Sequence, residues 1–332
     1  HADLEGPGQV HLDTFIWDRV FGYDMLSRHG AGITGGRFLS QVDLPRALEI
    51  GMTGGMWSIT TNPFRSEKRR SEVFFEDLRR LLGVFDRARD QVAVVRTRKE
   101  YDAARAQGRH AALIAIQGGN ALDASLENLD KIPDRLVTRI TIVHLSSSKI
   151  GCTSSPYWFG GPRGLSEFGK DYVRKMNEKR ILVDLAHISR EGFFDAAAVH
   201  DRAQPLIVTH TGVKGVHEHW RNLDDAQLRA IAETGGTVGV MYQSSFLGPS
   251  WLRGKSTWIV DHLAHIIGVL GEDYASLGSD WDGSIIPPAD TPTCTEFPKV
   301  IQHMLDRGWS HERIQKILAG NFLRVLAHIR PE

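Results

Sequence analysis

Eight short apolar runs, rich in β-branched residues, recur along the 332 residues of this chain, with amphipathic stretches between them. Nearly continuous apolar runs are typical of parallel strands that are covered on both faces. Eight strand–helix units in succession predict the α/β class and a closed (β/α)8 barrel, a TIM barrel. The predicted strands are Val10–Phe15, Gly54–Thr60, Ala111–Ile116, Thr138–His144, Ile181–His187, Pro205–His210, Thr237–Tyr242 and Tyr274–Ser279.

The alternative to a barrel is an open, doubly wound parallel sheet, and the spacing of the strands alone does not separate the two. Open sheets of that kind commonly carry a glycine-rich phosphate loop after the first strand, of the GxGxxG or GxxxxGKS/T type. The sequence after the first predicted strand has neither motif. We therefore predict the barrel.

The stretches between the strands have the spacing of amphipathic helices. Ser189 is a predicted helix N-cap, and Gly235-Gly236 is a predicted helix stop. A barrel of this length commonly forms one domain, so we expect residues 1–332 to be a single domain. The predicted helices are Asp43–Gly51, Arg70–Ala106, Phe168–Lys179, Arg190–His200, Leu223–Thr234 and Thr257–Gly268, followed by two closing helices within Glu296–His328.

Composition limits the partners that we expect. Lysine plus arginine and aspartate plus glutamate both number 40, so net charge gives no attraction to nucleic acid or to an anionic membrane. No stretch reaches the roughly 18 apolar residues that span a bilayer. The sequence has no signal-peptide pattern, so we expect a cytoplasmic protein. Cys152 and Cys294 are too few for a disulfide framework and are expected to be free thiols.

Polar side chains stand at the C-terminal ends of six of the eight predicted strands, the end at which barrel enzymes carry their chemistry. One histidine there would ordinarily be structural, but four histidines and two aspartates at one end predict a metal site. Imidazole and carboxylate ligands suit Zn²⁺, Mn²⁺ or Fe²⁺, and zinc is the ion that we expect. In chain order, the polar residues at these strand ends are His11, Asp13, Gln117, His144, His187, His210 and Asp280.

The segments around these residues resemble the membrane, or renal, dipeptidases of the amidohydrolase superfamily. The resemblance runs in order through the whole chain. It implies an amidohydrolase-like barrel and a metal-dependent hydrolase that acts on dipeptides. The matching segments are Val10-His11-Leu12-Asp13, Gln41-Val42-Asp43-Leu44-Pro45, Met56-Trp57-Ser58, Gln117-Gly118-Gly119, Leu182–Ser189, Thr209-His210-Thr211, Arg221-Asn222-Leu223 and Gly278–Gly283.

The resemblance also implies which residues hold the metal. His11, Asp13 and Asp280 match the ligands of one ion. His187 and His210 match the ligands of a second ion. A metal-bound water has a pKa near neutrality, which is how such a site supplies the attacking nucleophile.

Three residues match positions that act on the substrate. Asp280 is expected to accept the proton of the attacking water and to pass it to the leaving amine. His144 matches a histidine that polarises the scissile carbonyl, where it also binds the substrate. Arg221 matches an arginine that receives the carboxylate of the substrate. The resemblance therefore predicts short substrates with a free carboxylate.

Gln117 departs from the family pattern, because the resemblance implies a glutamate there that bridges the two ions. A carboxylate can bridge with two anionic oxygens, whereas an amide offers one neutral oxygen and a nitrogen that cannot ligate. The change weakens both sites and the second more, so the number of ions, one or two, stays open. Asn120 likewise replaces a histidine that is common in the family motif.

Three activities follow from this departure. The first is hydrolysis of a dipeptide or a related small carboxylated amide. The second is hydrolysis of a non-peptide amide or lactone at a single metal ion. The third is an inactive relative that binds a small carboxylated ligand. The expected partner is a dipeptide or another small molecule, with a homodimer as a possible assembly.

Overall fold

The computed structural model describes residues 8–156 and 163–332. Its parallel strands follow the order β1-β2-β4-β5-β6-β7-β8-β9, and β3 pairs with β4 beside this path. The segment after β9 returns to β1, where Leu12 bridges to Trp281 and Asp13 N donates to Trp281 O at 3.0 Å. The sheet therefore closes into the predicted barrel. The strands are β1 (Gly8–Leu12), β2 (Gly54–Thr60), β3 (Val92–Val94), β4 (His110–Gln117), β5 (Val137–Thr141), β6 (Leu182–Asp184), β7 (Ile207–Thr211), β8 (Thr237–Val240) and β9 (Ala275–Leu277).

Helices surround the sheet. None of those in the described ranges has the length and apolar character that crossing a membrane requires. The helices are α1 (Phe15–Phe21), α2 (Leu44–Glu49), α3 (Glu67–Arg87), α4 (Arg98–Ala106), α5 (Glu167–Glu178), α6 (Arg190–Val199), α7 (Asp225–Ala232), α8 (Ser244–Leu247), α9 (Thr257–Leu270), α10 (Pro298–Asp306), α11 (His311–Gln315) and α12 (Asn321–Ile329).

The predicted helix Arg70–Ala106 is wrong. In its place α3 ends at Arg87, β3 follows, and α4 begins after Thr97, whose side chain accepts from Glu100 N as an N-cap. β3 pairs with the first residues of β4, Val92 opposite His110, whereas β5 joins β4 only from Ile114 onwards. A short β-branched strand therefore fills the free edge of β4 before β5 reaches it.

Five predicted strands extend past the C-terminal ends of the observed strands. They are Val10–Phe15, which runs into α1, and Thr138–His144, Ile181–His187, Thr237–Tyr242 and Tyr274–Ser279. β5 ends at Thr141 and β6 ends at Asp184, so His144 and His187 lie in the loops beyond their strands. His187 has a φ of 67°, in the left-handed region that strand residues do not adopt. The loops, rather than the strands themselves, therefore bring these two imidazoles to the mouth of the barrel.

The last helical segment, from α11 to α12, closes the N-terminal end of the barrel. The sequence predicts closing helices here, but not which end of the barrel they cover. A π-helical turn, Lys316–Gly320, joins α11 directly to α12. A Cβ atom at Gly8 would lie 3.4 Å from Leu318 O, which shows how closely this turn packs on β1. Phe322 and Leu326 of α12 join Val10 in one buried apolar cluster. Burial of each such large side chain stabilises the fold by about 1.5–3 kcal/mol. Apolar packing therefore stabilises this end of the barrel, and the predicted polar residues lie at the opposite end.

Candidate metal centre

His11 lies between two carboxylates at the open end of the barrel. Its Nε2 is 3.3 Å from Asp13 Oδ2 and 3.1 Å from Asp280 Oδ1. His11 and Asp13 are two residues apart at the end of β1, so both side chains point to one side of the sheet. Asp280 follows β9 and has a φ of 61°. Non-glycine residues in this strained region cluster at functional sites.

A second group of nitrogens lies beside His11. His187 Nε2 and His210 Nε2 are 2.7 Å apart, and the Gln117 Nε2 atom is 3.4 Å and 3.3 Å from them. The rings of His11 and His210 stack with their centroids 4.1 Å apart. His11, His210 and Asp280 each offer a ligand atom within 4.8 Å of the others. The two predicted ligand groups are therefore contiguous.

His144 and Arg221 lie over the same cleft. The His144 ring meets the His187 ring edge to face, with their centroids 4.7 Å apart. Arg221 Nη2 donates to the backbone carbonyl of His210 at 3.0 Å, and no described residue bonds to the buried Arg221 Nε. The cleft has a volume of about 350 Å³, and its wall also contains Asp13 and other polar and apolar groups. The structure thus brings together all the residues that the sequence predicts for the site.

Burial keeps most of these imidazoles neutral. It lowers the pKa of His144 to about 4, and it holds the pKa values of His187 and His210 well below the ordinary value. For His11, burial acts in the same direction, but Asp13 and Asp280 outweigh it and raise the pKa of His11 overall. Neutral imidazole is the form that binds a metal ion.

The carboxylates respond in opposite directions. Burial raises the pKa of Asp280. It would also raise the pKa of Asp13, but the charge and hydrogen bond of His11 lower it overall. The two carboxylates are thus held in different environments beside one imidazole.

The residues present fit a divalent metal ion. Asp13 Oδ1 is buried, yet it has no hydrogen-bond partner among the described residues. Buried polar atoms are almost always partnered, so a buried carboxylate oxygen without a partner points to a ligand. Neutral imidazole nitrogens and carboxylate oxygens are the donor set of zinc and similar ions.

Arg139 belongs to the centre, and the sequence-based prediction missed it. It lies in β5, is completely buried, and its Nη2 is 2.5 Å from His11 Nδ1. Its Nη1 is 3.3 Å from Asp184 Oδ2. The signal in the sequence was a charged residue inside the apolar run Thr138–His144, where only a functional or paired charge is tolerated.

Comparison with known proteins identifies the family. Residues 23–331 match the model of the membrane dipeptidase family, peptidase family M19. The structure superposes with TM-score 0.86 on a crystal structure described as dipeptidase AC of family M19, at 27% identity, over 98% of this chain and 99% of that chain. A Rhodobacter sphaeroides metallopeptidase with a phosphinate mimic of L-Ala-D-Ala gives TM-score 0.85 and 26% identity, over 98% of this chain and 99% of that chain.

Curated sequences agree with this result. Dipeptidase 3 of Rattus norvegicus is 29% identical over 222 residues, which are 66% of this chain and 45% of that protein. A Klebsiella pneumoniae protein described as an uncharacterized protein in the pqqA 5' region is 34% identical over 172 residues, 51% of this chain and 62% of that protein. The chain thus spans about half the length of the curated relatives that it matches. On the match to the family model, the chain belongs to the membrane dipeptidase family, peptidase family M19.

Proposed function

We propose that the chain is a metal-dependent hydrolase that cleaves a dipeptide or a related small amide with a free carboxylate. The observation that carries the proposal is the position of Arg221, a buried cation in the same cleft as the carboxylates that flank His11. Such a cleft can bind the carboxylate of a substrate at Arg221 and hold the scissile bond beside the carboxylates at His11. Membership of the family and the bound dipeptide mimic of the Rhodobacter sphaeroides relative support the same substrate class.

The metal ligands in this proposal are His11, Asp13 and Asp280, with His187 and His210 available to a second ion. Zinc is the proposed ion. A divalent ion held there supplies Lewis acidity, which lowers the pKa of water and polarises a carbonyl oxygen. The remaining steps depend on side chains of the chain itself.

Asp280 is the proposed general base. One of its oxygens, Oδ1, lies 3.1 Å from His11 Nε2, and the side chain borders the cleft. A carboxylate in this place can take the proton from the attacking water and return it to the amine that leaves. Burial raises the pKa of Asp280, which favours its holding that proton between the two steps.

His144 is the proposed donor to the oxyanion of the tetrahedral intermediate. With a pKa of about 4, its imidazole is neutral at neutral pH and still carries one N–H. A donor directed at a developing oxyanion commonly contributes about 2.7–4 kcal/mol. A neutral donor also leaves the charge balance of the centre unchanged.

Arg221 is the proposed carboxylate clamp. Its Nη2 is held by the His210 carbonyl, and its Nε has no partner among the described residues. A guanidinium binds a carboxylate through two parallel N–H groups, which a lysine cannot do. The clamp therefore selects short substrates whose carboxylate lies a fixed distance from the scissile bond.

Gln117 favours a second candidate. Because this neutral amide stands at the position of an implied bridging glutamate, the centre could serve a single-metal hydrolase of a non-peptide amide or lactone, or bind a ligand without turnover. The test is a panel of free-ended dipeptides, amide-blocked dipeptides and lactones, assayed with zinc and then with a chelator. We expect chelator-sensitive turnover of free-ended dipeptides. Turnover confined to lactones or blocked amides, or no turnover by zinc-loaded protein, would overturn the proposal.

A further inference from the structure

A fixed cation lies beneath the metal centre. Arg139 Nη2 contacts His11 Nδ1 at 2.5 Å and donates to Ser58 Oγ at 2.9 Å. Arg139 Nη1 lies 3.3 Å from Asp184 Oδ2 and donates to Gln117 Oε1 at 3.4 Å. A guanidinium stays charged and has only donors, so Ser58 Oγ, Asp184 Oδ2 and Gln117 Oε1 are its acceptors. The outer nitrogen of a metal-binding histidine usually donates to an acceptor. His11 Nδ1 instead faces a cation, so this one contact must open for His11 Nε2 to bind an ion, whereas the contacts of Arg139 Nη1 can remain.

Arg139 also determines which way the Gln117 amide points. Gln117 Oε1 accepts from Thr141 Oγ1 at 2.9 Å as well as from Arg139. The reversed amide would place its NH2 group against a guanidinium that cannot accept a hydrogen bond. The nitrogen therefore faces His187 Nε2 and His210 Nε2, at 3.4 Å and 3.3 Å. In this orientation Gln117 presents to the two imidazoles a nitrogen that cannot bind a metal ion.

The carboxylates are unevenly placed around the centre. Asp13 and Asp280 both flank His11. In the part of the chain that the structure describes, the rings of His187 and His210 contact other imidazoles, the Gln117 amide and the Thr209 hydroxyl, and Arg221 donates to the His210 carbonyl. A second divalent ion at these two imidazoles would have to share Asp280 with the first ion, and it would be repelled by the buried Arg139 and Arg221 cations.

We propose that the Gln117 amide, held by Arg139, takes the place of a second metal ion, so that the centre binds one ion on the side of His11, Asp13 and Asp280. Arg139 is a positioning residue, since it acts through Gln117 and His11. This inference rests on the proposed function, and it specifies how many metal ions the same centre binds. The inference is tested by metal binding in the absence of substrate. A protein that binds one ion but cleaves no dipeptide would therefore contradict the proposed function and not this inference.

The experiment compares the wild-type protein with Gln117→Glu and with Gln117→Glu/Arg139→Met. Each is stripped with a chelator, and Zn²⁺ is added back in a calorimetric titration, with elemental analysis of the dialysed product. We expect one Zn²⁺ per wild-type chain. Gln117→Glu alone stays near one ion, because its new carboxylate lies beside Arg139 and pairs with it. The double variant binds a second ion about tenfold or more tightly than Gln117→Glu does.

A matched control separates the charge effect from loss of a buried arginine. Arg330 is completely buried, and it donates to the backbone carbonyls of Arg180, Arg135 and Val137, away from the centre. Gln117→Glu/Arg330→Met should bind the second Zn²⁺ no better than Gln117→Glu. Two measurements overturn the proposal without the double variant, should that variant fail to fold. They are two Zn²⁺ ions per wild-type chain, or a second ion bound by Gln117→Glu alone.

Discussion

Arg221 combines burial with an incomplete set of hydrogen bonds. Burial lowers its pKa to about 10, so the guanidinium remains charged at neutral pH. Its Nη2 is held by the His210 carbonyl at 3.0 Å, which fixes the side chain beside the proposed metal ligands. A buried cation whose Nε lacks a partner among the described residues is costly to maintain unless a ligand completes it. The substrate carboxylate is the partner that we propose.

Arg221→Lys tests this clamp. We expect the KM for a free-ended dipeptide to rise about tenfold or more, since a bidentate pair with an ionised group is worth roughly 1.5–3 kcal/mol. The rate for an amide-blocked substrate should change little. Steady-state kinetics on both substrates measures the difference. Arg229→Lys, an exposed arginine of α7, is the control and should leave both KM values unchanged. Equal changes for the two substrates would remove Arg221 from the carboxylate site.

The residues that sequence reasoning found and missed differ in one physical respect. His11, Asp13 and Asp280 could be predicted because each directly follows or ends an apolar strand, and such positions converge in a barrel. Arg139 could not, because its importance depends on which side of β5 faces inwards and on what lies across the barrel. The orientation of the Gln117 amide likewise depends on Arg139, a contact between different strands that no local pattern encodes.

At the scale of single elements, the connection between α3 and α4 shows the limit of periodicity. Helical spacing on both sides of Val92–Val94 hid a three-residue strand. A local signal was nonetheless present, because Thr97 followed three residues later by Glu100 is an N-cap pattern. β3 pairs only with the start of β4, and that pairing could not be predicted from the strand itself.

Thr97→Ala tests whether α4 begins at Thr97 as a helix separate from α3. The Thr97 side chain accepts from Glu100 N at 3.1 Å, and loss of such a cap typically costs about 1 kcal/mol of unfolding free energy. Chemical denaturation measures the change. Thr97→Ser keeps the hydroxyl and should recover most of the lost stability. If Thr97→Ser and Thr97→Ala destabilise the fold equally, the buried methyl group rather than the cap is responsible.

The contact between His110 of β4 and Trp57 of β2 makes the stability of the fold depend on pH. Its Nε2 accepts from Trp57 Nε1 at 3.1 Å, and Met52 O lies 3.0 Å from its Nδ1. Burial lowers the pKa of His110 from 6.5 to about 4. The unfolded chain therefore binds a proton between these pH values while the folded chain does not. The stabilising contribution is complete above pH 6.5 and is lost as the pH falls towards 4.

We expect His110→Gln to flatten this part of the stability profile. Glutamine can accept from Trp57 and donate to the Met52 carbonyl without titrating. Denaturation between pH 4 and 7 should show that the wild-type protein loses more unfolding free energy than the variant, by a few kcal/mol at most, on the order of 1.4 kcal/mol per pH unit. Parallel profiles for the two proteins would show that His110 does not titrate in this range.

For the whole molecule, the proposed metal centre lies where the barrel closes. His11 and Asp13 come from the first strand segment and Asp280 from the segment after the last, more than 260 residues away. Asp282 reinforces this junction, because it accepts from Thr14 Oγ1 at 2.8 Å and from Gln41 N at 2.8 Å. An ion bound to both ends of the sheet would therefore hold the barrel closed.

Zinc should consequently stabilise the whole fold. An ion that binds the folded chain alone, at a free concentration about 100 times its Kd, adds about 2.7 kcal/mol. For a chain of this size, we expect thermal unfolding in excess zinc to lie roughly 4 °C above unfolding in a chelator. Asp13→Asn preserves the shape of a ligand but removes its charge, so most of this shift should disappear. Asp201→Asn, at an exposed loop position, serves as the control and should retain the shift. Scanning calorimetry measures it, and identical wild-type curves with zinc and with chelator would show that no ion joins the two ends of the barrel.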